Sequence, residues 1–68
     1  MDSGSIGKKL RELRLKKNKT QAEVAKSCGI SPQALNNYEQ GIRIPKDTHK
    51  VALAKYFKTS VESIFFDT

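Results

Sequence analysis

The stretch TQAEVAKSCGISPQALNNYE, residues 20–39, carries two helix starts with a glycine between them, and little else can be made of it. Thr20 and Glu23 are spaced as a capping box, hydroxyl and carboxylate each answering a backbone N–H orphaned at a helix start. A helix is therefore predicted from Gln21, with Val24 and Ala25 on its inward face. Gly29 is placed to take the positive φ that ends a helix without a Cβ penalty, and Ile30 to plug the corner. Ser31 is a good N-cap, and Pro32 stands at the first helical position, where its missing N–H costs nothing. A second helix follows, with Leu35 and Tyr38 inward and Gln33, Asn36 and Asn37 outward.

Two short helices joined by so tight a turn can hold the second clear of the body, sized for a DNA major groove. Side-chain amides suit that place, because Asn and Gln can pair in bidentate fashion with adenine. The same pattern also fits an ordinary αα-hairpin with amides on its wet face.

Sixty-eight residues make one domain, and a chain this short buries only about 60% of the surface its unfolded form exposes. One cysteine, Cys28, excludes an internal disulfide, and with a single histidine, His49, it cannot furnish a structural zinc site; Cys28 is expected to be a small packing residue. Residues 1–9, MDSGSIGKK, contain no apolar core of a signal peptide, and no run is long enough to span a bilayer. A soluble intracellular protein is expected. Thirteen Lys and Arg against seven Asp and Glu give a net charge of +6, a positive field that attracts polyanions. Nucleic acid is the leading partner on this ground, though charge alone does not separate it from an anionic membrane surface.

Residues 1–4 hold Gly and Ser and read as a loose arm. Over residues 5–17, Ile6, Leu10 and Leu13 recur at helical spacing, which predicts a first helix capped by Ser5 and stopped by Asn18, with Leu15 off the buried stripe. QGIRIPK, residues 40–46, is a loop in which Gly41 ends the second motif helix and Pro45 delays the next. Its Arg43 and Lys46 are placed to meet a phosphate backbone, and equally to be ordinary loop charges. Val51, Leu53, Ala54 and Phe57 predict a fourth helix begun by Asp47 and Thr48, with His49 a partly packed side chain. Ser60 caps a short fifth helix, VESIFF, whose Ile64, Phe65 and Phe66 cannot all point to one interior.

Taken together, IGKKLRELR, TQAEVA with Gly29, SPQALNNYEQG, the Pro45 loop and LAKYFKTSVESIF resemble the Cro and phage-repressor (XRE-type) helix-turn-helix family, from about Ile6 to Phe66. The resemblance implies an all-α, five-helix domain over residues 5–68, with the motif at helices 2 and 3. It implies base reading by Gln33 and Asn37, with Asn36 beside them, and phosphate contacts by Gln21, Ser31, Arg43 and Lys46. It also implies a structural salt bridge between Arg14 and Glu39. Two positions depart from the family: Pro32 stands where several members carry a base-reading Gln, and Lys19 where an apolar residue is usual.

The expectation is a sequence-specific double-stranded DNA-binding regulator, a cytoplasmic repressor of bacterial or phage origin acting on a palindromic operator. It is expected to act as a homodimer through Ile64, Phe65 and Phe66, without cofactor, metal or small-molecule substrate. Nothing supplies a nucleophile with a base or a phosphate-cradling glycine loop, so no enzyme is expected. The rival is an antitoxin or adaptor module whose main partner is a protein.

Overall fold

The structure, a computed structural model, describes residues 3–66, which are all-helical with no strand among them. Four α-helices, α1 (Ser3–Lys16), α2 (Gln21–Cys28), α3 (Pro32–Glu39) and α4 (Asp47–Tyr56), precede a π-helical turn, Glu62–Phe66. The local signals act as their chemistry dictates. Thr20 Oγ1 accepts from the Glu23 N–H at 3.1 Å while Glu23 Oε1 accepts from the Thr20 N–H at 2.9 Å, closing the capping box on α2. The Thr20 N–H first, and the Thr20 hydroxyl second, hold the Glu23 carboxyl below its usual range. Gly29 ends α2 at φ 69°, its N–H turned back to the carbonyls of Ala25 and Lys26. Ser31 Oγ caps α3 through the Ala34 N–H at 3.1 Å, with Pro32 as first helical residue. Asn18 stops α1 in the left-handed region, at φ 59°.

Each helix and the terminal turn send two apolar side chains inward, and Ile30 fills the corner between α2 and α3. Ile6 and Leu10 meet Val24 and Ala25, Leu35 and Tyr38, Leu53 and Ala54, and Ile64 and Phe65 in one core. Cys28 packs beside it, and burial pushes its thiol pKa up, as suits a packing residue rather than a reactive one.

Three expectations change. The first helix begins at Ser3 rather than at a Ser5 cap, so Ser3 and Gly4 belong to the domain and not to an arm; Met1 and Asp2 lie outside the described residues. The cause is tertiary: Gly41, at φ 75° past the end of α3, abuts the Gly4 backbone, so closely that a Cβ on Gly41 would lie 3.0 Å from the Gly4 Cα. Val51 faces solvent, 46% exposed: two residues before Leu53, it lies on the far side of α4 from that buried side chain. The last segment winds as a π-helix. Ile64 and Phe65 reach the core from it, and Phe66 does not.

Candidate nucleic-acid interface

The outward side of α3 is a set of amides joined by hydrogen bonds. Gln33 Nε2 donates to Asn37 Oδ1 one turn later at 3.1 Å. Asn36 Oδ1 accepts from two amides, Gln40 Nε2 on its own helical face and Gln21 Nε2 from the first turn of α2, both at 3.1 Å. Gln21 Nε2 also donates to Glu39 Oε1 at 3.1 Å. Glu39 in turn is gripped by the Arg14 fork, Nε to Oε2 at 2.7 Å and Nη2 to Oε1 at 3.0 Å, with both side chains largely withdrawn from water. The remaining Arg14 nitrogen, Nη1, donates to the Lys19 carbonyl at 2.9 Å. Lys19, polar where an apolar residue is usual, therefore packs through its backbone. The Glu39 bond and charge raise the Arg14 pKa, burial opposing them, so this guanidinium is a fixed cation. Four side chains from three helices, with Gln40 just past α3, thus form one network that sets α3 against α1 and α2.

From the inner side α3 is held by Tyr38, whose hydroxyl lies 2.7 Å from His49 Nδ1 on α4. The His49 pKa is lowered by burial and then by the Lys46 charge, which keeps the imidazole neutral and free to accept that hydroxyl. Gly7 allows the approach of α1: a Cβ there would overlap the backbone carbonyls of Tyr38 and Glu39. After α3 the chain is tied down again, the Asn37 carbonyl accepting from the N–H groups of Ile42 and Arg43. The side chains of Arg43 and Lys46 project into solvent.

The helix-turn-helix family designated HTH_3, the XRE type, matches residues 10–64. The chain belongs to that family. This helix-turn-helix protein is a DNA-binding transcriptional regulator. It is similar to the restriction-modification controller protein C.AhdI from Aeromonas hydrophila, with 25% identity and a TM-score of 0.87, over 93% of this chain and 96% of that one. It shares its fold with the clp gene regulator ClgR from C. glutamicum, with 23% identity and a TM-score of 0.81, over 94% of this chain and 83% of that one. No curated protein matches it in sequence.

Within the helix-turn-helix protein, the expected site residues fall into three groups. Gln33, Asn36, Asn37, Ser31, Arg43 and Lys46 lie on α3, at its cap or in the loop after it, none of them buried. Arg14 and Glu39 pair as expected. Gln21, expected at a phosphate, spends both hydrogens of its amide nitrogen on Asn36 and Glu39 in the chain without DNA. Ile64 and Phe65, expected at a dimer interface, are each 1% exposed in the chain's own core, which leaves Phe66, 57% exposed, as the apolar surface of that segment. Gln40, Gly7 and the Tyr38–His49 pair escape the sequence reading. The only signals for them were an amide one residue past α3 and a glycine inside a helix that has no local use for one.

Proposed function

We propose that this protein is a repressor that binds a palindromic operator as a homodimer, with Gln33, Asn36 and Asn37 facing base edges in the major groove. The observation that carries the reading is the amide face of α3, fixed by the Arg14–Glu39–Gln21–Asn36 network and flanked by the exposed Arg43 and Lys46. A reading head whose polar groups are already in place loses little conformational freedom on binding. Around it, Ser31 keeps its hydroxyl hydrogen for a phosphate while its oxygen caps α3, and the Arg43 guanidinium has no protein partner among the described residues. At the expected Gln21 contact, the backbone N–H groups of Gln21 and Ala22 at the start of α2 are suited to a phosphate oxygen.

One head spans too few base pairs to be selective, whereas two related by a two-fold axis address half-sites about 34 Å apart. Phe66 and Val51 supply exposed apolar surface for such pairing. Occupancy of the operator is then sufficient for repression. Selection of duplexes from a random pool tests the reading: an enriched palindrome with half-sites one turn apart is expected. Enrichment of no motif, together with tight capture of a protein partner, would move the chain to the adaptor class.

A further inference from the structure

We propose that Asn36 meets DNA as a hydrogen-bond donor only, its polarity set by the Glu39 carboxylate through Gln21, so that its partner is a base-edge acceptor (a purine N7, guanine O6 or thymine O4) or a phosphate oxygen and not the amino group of adenine or cytosine. This rests on the DNA reading above and sharpens it to the chemistry of one contact.

The inference starts from charge. Glu39, held by Arg14 at 2.7 Å, is a carboxylate, and a carboxylate only accepts hydrogen bonds. The Gln21 amide touches Glu39 Oε1 at 3.1 Å and must therefore present its nitrogen there, since its oxygen would set acceptor against acceptor. The second hydrogen of the same nitrogen points to Asn36, which must answer with its oxygen, at 3.1 Å. Gln40 Nε2 reaches that oxygen too, at 3.1 Å. Both lone pairs of Asn36 Oδ1 are thereby engaged, while Nδ2 keeps both hydrogens and has no acceptor among the described residues.

Bidentate pairing with adenine needs one donor and one free acceptor from the same amide. Asn36 lacks the acceptor. Gln33 retains Oε1 and one hydrogen on Nε2, and Asn37 retains Nδ2 and a lone pair on Oδ1, so these two keep both polarities. Asn36 also lines an open polar cleft of about 510 Å³ with Arg11 and the Arg14–Glu39 pair; the pair balances itself, and Arg11 leaves the lining with a net positive charge that favours an electron-rich partner. The adjacent amides of α3 are thus divided: Asn36 seeks an acceptor, and its neighbours accept either kind of partner.

Two measurements test this. In the free protein, side-chain amide hydrogen exchange followed by NMR is expected to be about fivefold or more slower for Gln21 Nε2 than for Asn36 Nδ2, in line with one ordinary hydrogen bond. The reverse order, or equal rates, overturns the proposed polarity. On the duplex that the wild-type protein selects, Asn36→Ala is expected to lose about tenfold in affinity, the equivalent of one good contact. That loss should vanish on one duplex in which a single acceptor is removed: a purine N7 by a 7-deaza analogue, guanine O6 by 2-aminopurine, thymine O4 by 5-methylpyrimidin-2-one, or a phosphate oxygen by methylphosphonate. Which replacement abolishes it distinguishes base from backbone. Replacement of adenine by purine, which removes the amino group, should leave the Asn36→Ala loss unchanged at every position. A loss that disappears with a missing adenine amino group, or an Asn36→Ala protein that binds like wild type, overturns the inference. A wild-type protein that selects no duplex overturns the DNA reading and this contact with it, a result distinct from either.

Discussion

Glu39 serves the fold and the amide face of α3 at once, since its side chain, 3% exposed, accepts both from Arg14 and from Gln21. Removing Arg14 leaves that charge stranded out of water, at a cost of about 3–5 kcal/mol if the pair behaves as a buried one, and toward the low end because the Arg14 side chain remains 12% exposed. Arg14→Ala is therefore expected to lower the urea midpoint well before any change of DNA sequence preference. An Arg14→Ala chain as stable as wild type but unable to bind DNA would instead place Arg14 on the DNA surface. His49 gives a second prediction, in pH. Its pKa in the folded chain is depressed by burial and by Lys46, so the unfolded chain takes up the proton first as the pH falls. Its stabilising contribution is complete above about pH 6.5, declines as the pH drops through the ordinary histidine range, and levels off below the folded value. His49→Gln is expected to flatten that part of a stability-against-pH curve. An unaltered slope in the variant would assign the pH dependence to other groups.

At the scale of elements, the contact between α1 and α3 turns on Gly7. Helix propensity by itself predicts that Gly7→Ala stabilises by about 1 kcal/mol. The Cβ would, however, meet the carbonyls of Tyr38 and Glu39, and backbone of a capped helix has little room to yield. Overpacking costs about 1–3 kcal/mol, so net destabilisation is expected in thermal unfolding. A higher melting temperature for Gly7→Ala would mean that α1 can withdraw from α3 at little cost. The same approach explains why Gly4 and Gly41 face each other where α1 begins and α3 has ended.

On the scale of the whole molecule, charge and apolar surface carry separate functions. The net charge of +6 attracts any duplex, and counterion release makes that attraction salt-dependent. Arg43→Ala or Lys46→Ala is expected to weaken binding to all duplexes alike and to lower the slope of log affinity against log salt by roughly 1. An unchanged slope removes the residue from the phosphate contacts. Phe66, over which Lys50 Nζ lies 5.0 Å from the ring centroid, is half open to solvent in the single chain. Phe66→Asp is expected to abolish self-association in sedimentation and to weaken binding to a palindrome more than to a half-site. Equal one-to-one binding of both proteins to the palindrome would exclude this surface as the dimer contact.

The helix boundaries at the motif were legible in the residues because caps act locally: Thr20 with Glu23, Gly29, and Ser31 with Pro32 each satisfy or release backbone groups within a few residues of themselves. The inward residues of α2 and α3 were legible for the same reason, since a helix repeats every 3.6 residues whatever it packs against. Resemblance to a family pointed to Arg14 with Glu39, a pair that no local pattern announces. What lay beyond both was set by groups meeting from distant parts of the chain. Gly4 and Gly41 extended α1 past its apparent cap, Gly7 let two backbones touch, and Ile64 and Phe65 reached the core from a π-helical turn. The polarity of Asn36 belongs to the same class. An amide is symmetric in a sequence, and it acquired a direction only when folding brought Gln21 between it and a carboxylate.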